Sequence, residues 1–164
     1  MDVRAPRTAC LLVTLGATFA LAAAWYFQLV VGLAPCPLCL TQRIPYYVAV
    51  PVALAVAVLI SRGYDRAPRF GLGLLALLML GNAGVAIYHA GVEWQFWQGP
   101  TTCSGTAPMA VGDIMSALKT AHVPRCDEAA WRLFGISMAG WNALIALSLA
   151  GIAALGAIPA RRAR

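Results

Sequence analysis

Two cysteines at a C-x-x-C spacing, Cys36 and Cys39, are the residues of this chain best suited to chemistry. Thiols at this spacing can close a disulfide, supply half of a zinc site, or exchange electrons with another dithiol. A second pair, Cys103 and Cys126, follows later in the chain. Which chemistry applies depends on whether the two pairs meet on the same side of a membrane.

Composition indicates the class of protein that carries these cysteines. The chain has 164 residues, of which 61% are hydrophobic and only 11% charged, whereas a soluble domain has about a quarter charged residues. Uncharged runs are each long enough to cross a hydrocarbon core of roughly 30 Å. The sequence therefore predicts an all-α membrane protein, an up-down-up-down bundle of four transmembrane helices in one integral-membrane domain, 1–164. The predicted helices span about 9–31, 44–61, 70–90 and 133–158, and the outer loops about 32–43 and 91–132.

The distribution of Lys and Arg predicts the side that each loop faces. Eight arginines lie on the side that holds both termini and the middle loop, and four basic residues lie on the other side. Basic residues near span ends accumulate in the cytoplasm, so both termini are predicted to be cytoplasmic. The net charge of +6 is explained by this bias, and no nucleic-acid partner is expected. The eight are Arg4, Arg7, Arg62, Arg66, Arg69, Arg161, Arg162 and Arg164, and the four are Arg43, Lys119, Arg125 and Arg132.

The parity of four spans places both cysteine pairs in the two non-cytoplasmic loops, on the oxidising face where disulfides persist. The second of these loops also carries apolar residues at the i, i+3, i+4 and i+7 positions of a helix, namely Val111, Ile114, Met115 and Leu118. This spacing predicts a short amphipathic helix that lies on the membrane surface. In the third and fourth spans, Asn82 and Asn142 are polar at membrane depth, which predicts hydrogen bonds between helices.

A metal site is the main alternative to redox chemistry. Four cysteines, or three cysteines with His122, could in principle hold zinc. Thiolates on the oxidising face tend to pair with each other, however, so no metal is predicted. A purely structural disulfide between Cys36 and Cys39 is also disfavoured, because closing so small a ring restrains the unfolded chain very little.

Arg43 and His89 are the two further residues that could take part. Arg43 follows Cys39 by four positions, so the two share a face of a helix that begins near Leu40. Its guanidinium could favour the Cys39 thiolate or the charge on a reduced quinone oxygen, or could instead reach a lipid headgroup. His89 is placed by parity on the same face, where it could protonate a quinone carbonyl or hydrogen-bond a backbone group.

The electron acceptor is inferred by elimination. The sequence has no G-x-G-x-x-G or P-loop that would bind a soluble cofactor. A quinone dissolved in the bilayer needs no large binding domain, and it is therefore the acceptor that the sequence favours.

The motifs together resemble one family. They are Cys36-Pro37-Leu38-Cys39 with Gln42-Arg43, the loop pair Cys103 and Cys126, and a stretch running from Cys126-Asp127-Glu128 to Gly135-Ile136-Ser137-Met138-Ala139-Gly140-Trp141-Asn142. This combination, which covers nearly the whole chain, is similar to the DsbB family of bacterial disulfide-bond formation proteins. The resemblance implies an inner-membrane oxidase with periplasmic redox loops, which reoxidises a soluble DsbA-type thiol oxidase and reduces ubiquinone or menaquinone. A monomer is expected.

The resemblance also implies a role for each of the four paired cysteines. Cys103 would be attacked by the partner's thiolate, and Cys126 would leave and then attack the first pair at Cys36. Cys39 would be the thiolate that faces the quinone. The resting connectivity, with Cys36–Cys39 and Cys103–Cys126 or with a Cys36–Cys126 bridge, stays open.

Arg43 and His89 would bind the quinone if they act as the matching residues of the family do. Some members have an acidic residue just before the arginine, where this chain has Gln42. Two alternatives of other kinds are a vitamin K epoxide reductase-like enzyme and a non-enzymatic metal-binding membrane protein. In the former family the loop pair precedes the C-x-x-C, which is the reverse of the order here.

Overall fold

The computed structural model of the protein describes residues 5–100 and 125–159. Within these ranges, four helices are long and apolar enough to cross a membrane. They are α1 (Pro6–Leu29), α2 (Pro37–Ser61), α3 (Arg66–Glu93) and α4 (Met138–Ala157). The predicted all-α, four-helix membrane architecture is confirmed. The predicted amphipathic helix of the second outer loop lies outside the described residues.

Helix α2 begins at Pro37, whereas the sequence predicted a start near residue 44 and a loop over 32–43. Cys36 is the N-cap, and its sulfur accepts a hydrogen bond from the backbone N–H of Cys39 at 3.2 Å. A proline at the first helical position is favourable because its φ angle is already helical and its missing N–H is not needed there. The sequence placed the start of α2 too far along the chain, because Arg43 interrupts the uncharged run from which the helix was predicted. The C-x-x-C therefore forms the first turn of the helix.

Helix α4 begins at Met138, later than the predicted start near residue 133. A short antiparallel hairpin precedes it, formed by β1 (Arg132–Leu133) and β2 (Ile136–Ser137). The hairpin turns through Phe134 and Gly135, whose φ angles are 51° and 79°, and a helix cannot continue through left-handed residues. Ser137 then caps α4 by accepting a hydrogen bond from the backbone N–H of Gly140.

The other two helices also differ from the predicted limits at their ends. Helix α1 spans Pro6–Leu29 rather than 9–31, and α3 spans Arg66–Glu93 rather than 70–90. The prediction for α3 used uncharged residues alone. Charged residues at a membrane surface can continue the helix into the headgroup region, so the observed helix is longer at both ends.

Small residues allow the helices to pack closely. A side chain added at Gly156 would collide with Ala9 of α1, and one added at Gly16 would meet Leu149 of α4. Large apolar side chains such as Phe19 and Leu77 instead point outward and are more than half exposed. This arrangement is typical of a bundle whose surroundings are lipid, because lipid solvates large apolar groups and association depends on close packing.

The bundle is closed by neighbouring helices in sequence order. Helix α2 packs against α1 and α3, and α4 packs against α3 and α1. The N-terminus of α2 consequently faces the C-terminal ends of α1 and α3 and the beginning of α4. Side chains from all four helices meet at this end of the bundle.

Candidate redox site

The C-x-x-C pair lies in the first turn of α2, with the two sulfur atoms 2.7 Å apart and both thiols free. Cys36 is buried and Cys39 is partly exposed. The extended backbone of Cys36 as N-cap turns its sulfur back over the helix terminus, toward the Cys39 sulfur. The two sulfurs are therefore close enough for a disulfide to form between them.

The environment of Cys36 favours its protonated form. Its pKa is raised, chiefly because the thiol shares its proton with the Cys39 sulfur, and further because the sulfur is buried.

Cys126 lies beside this pair although it is distant in sequence. It is fully buried and disulfide-bonded. Its predicted partner, Cys103, lies outside the described residues, so the Cys103–Cys126 pairing stays a prediction. The sulfurs of Cys36 and Cys126 and Nε2 of His89 all lie within 4.8 Å of one another. The structure thus brings one member of each cysteine pair together.

His89 of α3 also lies beside the sulfurs of Cys36 and Cys126. Its side chain is buried, and Nε2 is 3.6 Å from the Cys36 sulfur and 3.9 Å from Oε1 of Glu93. The sequence predicted a contact with a quinone or a backbone group. Among the described residues, His89 contacts the Cys36 sulfur, Gln42 and Glu93 rather than a backbone group, and its contact with a quinone stays a prediction.

A chain of side-chain hydrogen bonds leads from His89 into the bundle. Gln42 of α2 places Nε2 2.8 Å from Nδ1 of His89, and its Oε1 accepts a hydrogen bond of 2.6 Å from Nδ2 of Asn142. The Asn142 carbonyl in turn accepts a hydrogen bond of 2.6 Å from the Tyr46 hydroxyl. The predicted interhelical hydrogen bonding of Asn142 is confirmed. Asn82, by contrast, makes no hydrogen bond with the described residues.

Arg43 lies on the side of α2 that faces α1. Its Nη1 donates to Oε1 of Gln28 at 2.6 Å, and Nη2 donates to the backbone carbonyl of Ala24 at 3.4 Å. The guanidinium carbon is 5.8 Å from the ring centroid of Trp25. Held in this way by α1, the positive charge stays at the end of the bundle that holds the cysteine pair.

A cavity of about 460 Å³ joins these groups. Its volume lies within the range of small-molecule sites in proteins. Phe27 and Trp131 form an aromatic wall, with ring centroids 4.9 Å apart, and the remaining lining is mostly apolar. Among the lining residues are the four chemically relevant side chains Cys36, Cys39, Arg43 and His89. The cavity can accept a flat, largely apolar ring with polar atoms at its edge.

Two polar residues of the site were missed by reasoning from the sequence. Glu93 is buried beside His89, and its Oε2 has no hydrogen-bond partner among the described residues. Gln42 is buried and joins three helices. A signal existed for Glu93, which follows His89 by one helical turn. Position 42 was noticed only for its place before Arg43.

Comparison with known proteins agrees with the geometry. The family described as "Disulfide bond formation protein DsbB" matches residues 6–156 of the chain. Disulfide bond formation protein B of Polaromonas sp. (strain JS666) is 32% identical in an alignment that covers 90% of this chain and 89% of that protein. The protein of the same name from Methylococcus capsulatus is 31% identical in an alignment that covers 94% of this chain and 96% of that protein.

A third relative, disulfide bond formation protein B of Verminephrobacter eiseniae, is 32% identical in an alignment that covers 97% of this chain and 92% of that protein. No solved structure matches the chain significantly. With four membrane-spanning helices and a free cysteine pair in the first turn of α2, this chain belongs to the DsbB family, multi-pass membrane oxidoreductases that take part in disulfide bond formation.

Proposed function

We propose that the protein is an inner-membrane thiol oxidase that reoxidises a periplasmic DsbA-type dithiol protein and passes two electrons to a membrane quinone. The electrons travel from the partner to Cys103–Cys126, then to Cys36–Cys39, and from there to ubiquinone or menaquinone. The chain acts as a monomer and as a single integral-membrane domain.

The observation that supports this proposal best is the cavity at the outer end of the bundle. The cavity is lined by Cys36 and Cys39, whose sulfurs can exchange disulfides, and by Arg43, whose positive charge can stabilise a reduced acceptor. The aromatic wall of Phe27 and Trp131 suits a planar ring. A site for disulfide exchange alone would need neither the cavity nor the guanidinium.

Thiol–disulfide exchange carries the electrons between the pairs. A thiolate of the partner attacks Cys103, and Cys126 leaves as a thiolate. That thiolate attacks Cys36, so a Cys36–Cys126 bond forms while the Cys36–Cys39 bond breaks and its electron pair stays on Cys39. The sulfurs of Cys36 and Cys126 lie within 4.8 Å, a separation that small side-chain rotations can close.

A quinone at this site supplies an acceptor for two electrons and two protons. The partner's dithiol releases the same number of each when it becomes a disulfide, so the overall reaction balances. Arg43 stabilises the negative charge on the Cys39 sulfur and on a quinone oxygen, because a fixed cation in a site of low polarity acts strongly on a developing anion.

The proposed orientation follows from the basic residues. Both termini and the loop between α2 and α3 face the cytoplasm, where arginines accumulate. The first turn of α2 and the segment that holds Cys126 then face the periplasm. A periplasmic thiol protein can therefore reach the loop cysteines, while the quinone enters from the bilayer.

A metal centre is the second candidate, because the donor atoms of Cys36, His89 and Cys126 lie within 4.8 Å of one another. Two features oppose it. The sulfur of Cys126 is already in a disulfide. Nδ1 of His89 also faces an amide N–H donor on Gln42, so a neutral imidazole carries its hydrogen on Nε2, the atom that a metal would need.

Quinone reduction by the purified protein in detergent tests the proposal. The donor is a reduced DsbA-type protein, and the absorbance of ubiquinone or menaquinone is followed. Turnover that is lost in Cys39→Ser and strongly reduced in Arg43→Ala is expected. No turnover with either quinone, together with stoichiometric zinc in the purified protein, would favour the metal centre instead.

A further inference from the structure

The hydrogen bonds that reach His89 have a defined direction. An amide nitrogen can only donate and an amide oxygen can only accept. The Tyr46 hydroxyl therefore donates to Asn142, the Asn142 amide donates to Gln42, and the Gln42 amide donates to Nδ1 of His89. Because Nδ1 accepts, the neutral imidazole must carry its hydrogen on Nε2.

That hydrogen is directed at the reactive end of the site. Nε2 lies 3.6 Å from the Cys36 sulfur, with Oε1 of Glu93 at 3.9 Å and the Cys126 sulfur within 4.8 Å. The Cys36 sulfur already accepts the backbone N–H of Cys39 at the start of α2. A second N–H donor at this sulfur favours negative charge on it, since hydrogen bonds to charged groups are the strong ones.

We propose that Gln42 and Asn142 are positioning residues, which hold His89 as an N–H donor to Cys36 and thereby assist the departure of Cys36 as a thiolate. The inference rests on the proposed function, in which a Cys36–Cys126 bond forms during turnover. Once the partner has released Cys103, the Cys103 thiolate attacks Cys126. The Cys103–Cys126 bond forms, the Cys36–Cys126 bond breaks, and the electron pair of the broken bond stays on Cys36.

A simpler role for Gln42 would be to supply a hydrogen-bond partner for the buried imidazole of His89. If Gln42 only filled the hydrogen-bonding capacity of His89, either tautomer of the imidazole would serve. The directed chain selects one tautomer, because Asn142 occupies the Gln42 oxygen and leaves only the amide N–H groups for His89. The tautomer of His89 is therefore the property that tests the proposal.

The variant Gln42→Glu reverses the direction at little change in shape. The ionised carboxylate of this variant can only accept, so a neutral imidazole must carry its hydrogen on Nδ1 and has none on Nε2. The matched control is Thr41→Glu, which adds a carboxyl one residue away at an exposed position. The control should leave the tautomer unchanged.

Nitrogen NMR of the protein labelled with ¹⁵N-histidine in detergent reads the tautomer directly. The chain has only two histidines, so His122→Gln assigns the signals. Hydrogen on Nε2 of His89 is expected in the unmodified protein and on Nδ1 in Gln42→Glu. Hydrogen on Nδ1 in the unmodified protein, or no change in Gln42→Glu, would overturn the proposal. Neither result depends on quinone turnover, so the proposed function is tested separately.

The effect on Cys36 is measured in a protein whose other cysteines are replaced by serine. In Gln42→Glu, alkylation of Cys36 should shift to higher pH and slow about tenfold at pH 8, because the thiolate loses its donor. The same substitution in a His89→Ala background should have little further effect. If the shift persists there, Gln42 acts on Cys36 through charge alone, and the role assigned to His89 is wrong.

Discussion

The guanidinium of Arg43 on α2 is held by the side chain of Gln28 on α1, with Nη1 only 2.6 Å from Oε1. The contact fixes a long side chain that would otherwise reach freely into the headgroup region. Arg43 is thereby kept beside the cavity that Cys39 also lines. The contacts with α1 alone hold the charge in place.

Replacing Arg43 should therefore weaken the quinone end of the reaction. Arg43→Ala is expected to raise the KM for quinone about tenfold or more, because a hydrogen bond to a charged group is lost. Arg43→Lys should recover only part of the loss, since an ammonium cannot reproduce the planar fork. Steady-state quinone reduction measures both, with Arg62→Ala at the exposed end of α2 as the control. Equal KM values in all variants would show that Arg43 does not contact the acceptor.

The variant Cys39→Ser should separate the two halves of the reaction. Cys36 then has no disulfide bond that the Cys126 thiolate could attack, so the electrons of the partner stop at Cys103 and Cys126. One equivalent of partner should be oxidised for each chain as the Cys103–Cys126 bond is reduced, while quinone reduction stops. Peptide mapping under non-reducing conditions identifies the bonds. Quinone turnover at the normal rate in this variant would exclude Cys39 as the electron donor.

The same substitution should change the pH dependence of Cys36. Its pKa is raised mainly by the proton shared with the Cys39 sulfur, and serine removes that sulfur. The pKa should fall, so the thiolate appears at lower pH and alkylation becomes faster at any given pH below the original midpoint. A reduced protein in which Cys36 is the only remaining thiol gives the measurement. An unchanged or higher midpoint would mean that burial, rather than Cys39, controls this thiol.

Two glycines of α3 offer a matched test of packing near the site. A Cβ at Gly91 would overlap the indole of Trp97, whereas one at Gly84 would meet no atom within 4 Å. Gly91→Ala should lower the free energy of unfolding in detergent by about 1–3 kcal/mol, which is the usual cost of overpacking. Gly84→Ala should be neutral or stabilising by up to about 1 kcal/mol, since alanine favours a helix. Equal melting temperatures for the two variants would contradict the close contact with Trp97.

Much of the fold was predictable from the sequence, because each helix that crosses a membrane needs a long run of apolar residues. Four long apolar runs predict four helices, and the structure has them. The helix ends were less accessible, since charged residues such as Arg66 and Glu93 continue a helix beyond the apolar run. The start of α2 carried a signal in Pro37 that was outweighed by the charge of Arg43.

The site was predictable where its members share one helix. The spacing of Cys39 and Arg43 predicted that they share a face of one helix, and both residues line the same cavity. The approach of His89 to Cys36 was not predictable, because it depends on how α2 and α3 are rotated about their axes. Helices that are apolar on every face carry little information about that rotation. Gln42 gains its importance only from the same relative rotation.

The first turns of α2 also fix the number of residues between the cysteine pair and the side chains of Gln42 and Arg43. Arg43 reaches α1, while its neighbour Gln42 reaches α3 and α4. One residue corresponds to a rotation of about 100° around the helix axis. An insertion or deletion between Cys39 and Gln42 would therefore turn the guanidinium away from Gln28 and the amide away from His89 in a single step. The identity of the exposed residue at position 41 is free to vary, but the number of residues between the cysteine pair and these two side chains is not.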